Sequence, residues 1–546
     1  MRIKKQVDAI SDNEKGIVLV VVLLLLAALI ILGTTAVMQT STDLKISSNY
    51  KTRVQAFYIA EAGLAKAEAE LINDLNTDQD IANTTFNQIS GSSITITPSS
   101  TSFYTVFDSI SFGAGDYTIQ FMNYGTSPNY NPATVLVRST GTGPNSSTVT
   151  LESYLSAENI SPWNNATFSG GGGGPAPITG NVSIAGSIHI LGEGLDPATT
   201  VFSNQTGDCL NTNVGMDSDL ADAIYGGTTS DLNAKFRIKN GLVNMSVGSA
   251  DIGSSSNPFK GIYVTDGDAG AYGVNADIIG GDNAGASQNL YADKGAFSAR
   301  AYDLEEYNTT LPRINDTELT AISLDLTGVT DSTEDFQFKT SAGASIVDTV
   351  DDKGLINGNL ELTEKFKVKG KKYYPDIEKY DGTDWTSSTN AIRFNSATNV
   401  LEIKGIVKVL SLNISDDITY KTVPGPAGKK GGTIYTTGTT EIDGDVLPAA
   451  AASYPTTNVF GVISTGDMTL PSKNKLLTGA YYTEGTATSS GQTELAGTIV
   501  CENFDITKNV PKIWQVPSLA TNLPPGMPGA AAVWVFTDRT WREITE

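Results

Sequence analysis

The stretch "EKGIVLVVVLLLLAALIILGTTAVMQT", Glu14 to Thr40, decides how the rest of the chain is read. From Ile17 to Met38 it carries 22 residues without a charge. As a helix at 1.5 Å per residue this run spans roughly 33 Å, enough to cross a hydrocarbon core about 30 Å thick. A secretory signal has a shorter apolar stretch, roughly 7–15 residues, closed by a small-residue cleavage site. Here the run is longer and no Ala-x-Ala site ends it, so a membrane span is predicted over 17–38. Arg2, Lys4, Lys5 and Lys15 precede the span, which predicts a cytoplasmic N-terminus and places the bulk of the chain outside the cytoplasm.

The helical pattern continues past the membrane. The first proline in the chain is Pro98, and "TRVQAFYIAEAGLAKAEAELINDL" from Thr52 puts Phe57, Leu64 and Leu71 seven apart, with Ala60 and Ala67 between them. That is one apolar stripe in a run of strong helix formers. A single helix from about Ile17 to about Leu75 is predicted, half in lipid and half offering a narrow face to a partner. An anchor joined to a separate amphipathic core helix is the alternative.

A short basic leader ending in Gly, an apolar helix starting at once, and then a polar amphipathic half resemble a pilin with a class III signal. More narrowly, residues 15 to about 70 resemble the N-terminal region of PilX-type type IV pilus assembly proteins. That pattern has Gly before an aliphatic residue, a long Leu/Val run and an Ala-Phe-x-x-Ala-Glu-Ala block, here Ala56, Phe57, Ala60, Glu61 and Ala62. The resemblance implies cleavage by prepilin peptidase after Gly16 and N-methylation of Ile17 as the first mature residue. It implies as partners other minor pilins, the major pilin, the peptidase and the inner-membrane assembly platform. The protein would start in the inner membrane and end in a pilus at the cell surface. Most major pilins carry Glu at the fifth mature position, where it meets the α-amine of a neighbouring subunit; here that position is Val21. An intramembrane carboxylate is costly and is kept for a partner. A subunit without it is expected to enter first, at the filament tip.

Beyond the helix the composition shifts to Gly, Ser, Thr, Asn and Asp, with 54 Gly and 21 Pro in 546 residues. Short β-branched runs between turn residues predict an α+β chain that is mainly β. The expected parts are a leader 1–16, the helix 17–78, a small antiparallel sheet 79–160, a Gly/Pro-rich linker 161–177, a large β module 178–520 and a tail 521–546 with a final strand that closes the module. "DYTIQFMNYG", "ATVLVRSTGTG" and "STVTLESYL" alternate in period two, as strands covering the helix would. "GTTEIDG" (438–444) and "GQTELAG" (491–497) repeat a pattern. "GVISTG", "GAYYTEG" and "GTIVCEN" begin 18 residues apart, at Gly461, Gly479 and Gly497. Short strands between Gly corners at a near-fixed period suggest β-solenoid rungs, most clearly over 400–510. A sandwich with similar hairpins is the competing arrangement.

The chemistry-bearing residues are few. His189 is the only histidine, and alternation sets it opposite Ile188 and Ile190 as an ordinary strand residue, which rules out His-clustered zinc. Cys209 and Cys501 are the only cysteines; a disulfide between them is chemically allowed outside the cytoplasm, and a buried thiol is the default for Cys501. The net charge of −23 argues against nucleic acid. Asp266 and Asp268, with Asp381 and Asp384, lie in oxygen-rich loops that would permit calcium, but neither loop has the EF-hand pattern, and solvated turns are the expected role. No cofactor and no catalytic residue are assigned. The expected function is structural, a minor pilin displaying a large β module for adhesion to a surface or a cell. The rival is a membrane-anchored β-helix enzyme acting on polysaccharide, which would need a cleft with paired carboxylates.

Overall fold

The computed structural model describes residues 3–78, 103–123, 133–171, 178–196, 199–243, 249–264, 290–292, 302–304, 309–328, 336–340, 345–346, 358–363, 366–368, 371–423, 431–489, 491–506, 511–531 and 533–544. Helix α1 runs from Ile3 to Asp78, 76 residues without a break. It starts inside the segment expected to be a leader, because nothing between residue 3 and Ile17 forbids helix. Every residue from Ile17 to Tyr50 is exposed, Val21 among them. The burial begins at Thr52.

Four strands follow, β1 (Tyr104–Phe112), β2 (Gly115–Asn123), β3 (Ala133–Thr142) and β4 (Thr148–Asn159), each antiparallel to the next. Their inward residues Ile119, Phe121, Val135, Val137, Leu151 and Leu155 meet Ala56, Ile59, Ala60, Leu64, Ala67 and Leu71 of α1 in one core. The stripe read from the sequence is therefore the buried face, with Phe57 half-buried at its margin. Period two on the sheet and period 3.6 on the helix each set one apolar side toward the other.

The fifth strand of this sheet is a correction to the expected layout. Trp534–Ile544 does not close the large module; it pairs antiparallel with β4, from Trp534 opposite Asn159 to Ile544 opposite Thr150. The large β-rich region is thus inserted between two neighbouring strands of the helix-bound sheet.

That region is built on parallel ladders. Six strands close a parallel ring in the order 400–409, 418–422, 446–448, 475–489, 460–464, 432–436 and back to the first. The ring closes because its two long strands each serve two neighbours on either side of a bend. Val400–Val409 bends at Gly405 (φ +67°) and Lys475–Ser489 at Gly479 (φ +140°), a region of backbone space that favours glycine. The spacing noticed at Gly479 and Gly497 is a true pairing, since the two glycines oppose each other across a ladder. One ladder continues from 499–501 to Thr167–Ser169, Ile188–Ile190, Lys235–Ile238 and Gly261–Val264. Parallel pairing therefore reaches well before residue 400, where the sequence showed no period.

Two further expectations change. Residues 161–171 are not a tether: Trp163 is buried, and Thr167–Ser169 is a strand between two others. Residues 172–177 lie outside the described ones. Cys209 and Cys501 are both free and buried, not a disulfide. Cys209 pairs beside Ile184 while Cys501 pairs beside Thr483 and Ser169, in different ladders. Burial pushes both thiols above their usual range.

Candidate functional site

The residues of the Ala-Phe-x-x-Ala-Glu-Ala block sit where α1 comes closest to the sheet. A Cβ placed on Gly141 of β3 would run into the backbone O of Ala56 and the backbone N of Ala60. One placed on Gly63 would run into Ser139 Oγ and lie 3.2 Å from the Tyr117 ring. Ala56, Ala60 and Gly63 on the helix, and Gly141 on the strand, are small because the two backbones nearly touch. Glu61 is exposed and Ala62 half-buried, so the block has an inner and an outer side. Gly63 reads in the sequence only as a weak point of the helical run, and the packing role of Gly63 and Gly141 is seen only in the fold. The signal for Gly63 was its place one turn beyond Ala60; Gly141 had none.

The C-terminal strand is fastened on both faces of this sheet, at Glu152 on the side away from α1 and at the seam with α1 itself. Glu152 of β4 is buried and lies between Arg138 of β3 (3.0 Å) and Arg542 (2.6 Å). Arg53 of α1 reaches Glu543 at 2.5 Å, and the Phe57 ring meets Trp541 edge-on at 5.8 Å. Ile17 to Met38 of α1 are exposed, as are Tyr58 and Trp541 beside the seam.

A second polar cluster joins the sheet to the inserted region. Glu158, near the end of β4, accepts from Lys235 Nζ and from both terminal nitrogens of Arg237, at 3.3 and 3.1 Å. Arg237 also makes a two-pronged pair with Asp303, at 2.9 and 3.1 Å. Burial alone would raise the Glu158 pKa, but Arg237 and then Lys235 outweigh it and bring it to about 2. Arg237 is held protonated against burial by the same two carboxylates. Beside them His189 Nε2 and Tyr302 Oη share a hydrogen bond of 2.6 Å, and the ring of Phe168 lies 4.8 Å from the imidazole. Burial, then the positive charge of Arg237, push the His189 pKa well below its usual range, so it is neutral. Burial pushes Tyr302 up to about 12. His189 does stand opposite Ile188 and Ile190, and its role is to fill a packed junction rather than to face a substrate.

The loop of Asp381 and Asp384 spends its carboxylates on itself. Asp381 accepts from the backbone of Thr389 and Asn390 at 2.8 and 3.0 Å, and Asp384 from the backbone of Ser387 at 2.7 Å. Asp266 and Asp268 lie outside the described residues. Among the described residues no group of three or more His, Cys, Asp or Glu is placed to hold a metal ion. Gly16 and Ile17 are consecutive residues of unbroken helix, with Ile17 exposed.

Comparison with known proteins agrees with this geometry. The PilX N-terminal family model matches residues 15–65. The crystal structure of the competence-associated pilin ComZ from Thermus thermophilus is similar in fold at a TM-score of 0.50 and 16% identity, over 91% of this chain and 98% of that one. No curated protein matches. The N-terminal segment is thus similar to the PilX N-terminal family, and the overall fold to that of a competence-associated pilin.

Proposed function

We propose that the protein is a minor pilin that enters a type IV filament at or near its tip and displays the inserted β region for adhesion. The observation that carries this is the division of α1. Residues 17–50 are apolar at first and bare throughout, while residues 52–71 are covered by a sheet through near contact of backbones. A helix shaped in this way can leave lipid and lie against sister helices without disturbing its own domain. In this reading the peptidase cuts after Gly16, Ile17 is N-methylated, and the N-terminus faces the cytoplasm before assembly. Other pilins and the inner-membrane platform are the partners. Val21 leaves the fifth mature position without a carboxylate, which suits a subunit that has no earlier neighbour to meet. We also read the parallel ladders, cornered at Gly405, Gly479 and Gly497, as faces of a β-solenoid. No reaction is assigned to the chain. Mass spectrometry of the protein from its native membrane tests the reading: a mature chain beginning at N-methyl-Ile17 supports it, and an intact Met1 overturns it.

A further inference from the structure

We propose that the outer face of the sheet formed by Lys371–Tyr380, Ala391–Asn395, Val400–Val409 and Ile418–Thr422, together with Trp385, binds a neutral polysaccharide. This rests on the adhesive reading above and names its ligand class. Across these four strands Ile377, Phe394, Leu401 and Tyr420 stand in one row and are buried in the core. The adjacent row, pointing the other way, is Glu378, Arg393, Glu402 and Lys421. Arg393 pairs with Glu378 at 2.7 Å and Glu402 at 3.4 Å, and Lys421 with Glu402 at 3.8 Å. The row therefore alternates in sign and carries no net charge.

Over this row lies Trp385, with the Arg393 guanidinium 4.5 Å from its ring. Trp385 takes no part in the hydrophobic core and is partly exposed. Its loop is braced at both ends. Asp381 and Asp384 close it, Ser388 Oγ accepts from Gly382 at 3.0 Å, and Lys404 Nζ reaches Thr386 O at 3.3 Å. Tyr380, also partly exposed, follows Glu378 by two residues and shares its face. A rigid aromatic held outside the core, beside carboxylates and a guanidinium, is a recognition surface more than a packing one.

The chemistry selects the occupant. The C–H face of a pyranose stacks on an indole, and its hydroxyls donate to carboxylates and accept from guanidinium and ammonium groups. Nucleic acid and anionic glycans are disfavoured, because the row is neutral and the whole chain carries −23. An apolar peptide would have to strip water from four charged groups.

The test uses the full-length protein in detergent micelles, retained on insoluble cellulose or chitin. Wild type is expected to be retained. W385A should lose retention by about tenfold or more, the share of one aromatic anchor, and W385F should recover most of it. E378Q/E402Q should also weaken it, which separates recognition from simple stickiness of a ring. No retention of wild type on either polymer, or equal retention of W385A, overturns the proposal. The mature terminus reads the pilin assignment independently, so retention that depends on Trp385 with an uncut Met1 would keep the site and discard the pilin.

Discussion

At the scale of single residues, two positions carry more than their size suggests. Gly141 is where β3 and α1 meet, and even a methyl group there strikes backbone atoms that cannot rotate away. G141A is expected to destabilise the helix–sheet unit by about 1–3 kcal/mol, the usual cost of overpacking. Thermal unfolding of the detergent-solubilised protein would show it as a lowered Tm, and an unchanged Tm would mean the seam is looser than described. Glu158 is the second. E158Q leaves Arg237 and Lys235 buried with less to answer them, a loss of about 3–5 kcal/mol by analogy with other broken buried pairs. Its pH dependence has a definite sign. The folded pKa, about 2, lies below the ordinary 4.5, so the contribution is complete above pH 4.5 and disappears as pH falls toward 2. The stability gap between wild type and E158Q, measured by urea unfolding along a pH series, should be steady above 4.5 and close below it. A gap that persists unchanged at pH 2 would contradict the assignment.

At the scale of elements, the C-terminal strand matters most. Trp534–Ile544 adds an edge to the helix-bound sheet, buries Trp534 in its core and holds Phe57 and Arg53 of α1 through Trp541 and Glu543. Glu152 ties it to β3 through two arginines. A chain ending at residue 532 should keep the parallel ladders, whose strands all lie earlier, and lose the protection of β4. Hydrogen exchange reads this directly: amides of 150–159 should exchange faster in the truncated chain while those of 460–464 stay slow. Equal protection of both segments would show that β4 needs no partner on that edge.

At the scale of the whole molecule, the inserted region is bound to the sheet along a broad junction and not by a tether. Glu158 meets Lys235 and Arg237, and Val535 of the C-terminal strand, with Ile160 just past β4, packs against Tyr302 and Leu304 of the inserted region. The region spans most of the chain, far more than a packing subunit needs. Shaft subunits must fit against neighbours on all sides, whereas a tip subunit has free space on one. Gold labelling of sheared filaments should therefore find the protein at filament ends; label spread evenly along the shafts would reject the tip position. Removing 178–520 outright is a poor test of adhesion, since it would strip Glu158 of Lys235 and Arg237 and Thr167–Ser169 of both neighbouring strands.

What the chain announced locally, it kept. An apolar run with no proline or charge, long enough to cross a bilayer, forms part of one unbroken helix and is exposed along its length. A stripe at 57, 60, 64, 67 and 71 needs a cover, and period-two strands directly after it supply one. The Gly479–Gly497 spacing was legible too, because a corner in the left-handed region demands glycine each time it recurs. The partners of Glu158, the fate of the two thiols and the sheet to which Trp534–Ile544 belongs were not legible. Each depends on residues dozens to hundreds of positions apart, and nothing in the local pattern of either partner records where the intervening chain returns. Local periodicity sets which face is apolar; only the folded path decides which distant face, or which distant charge, comes to meet it.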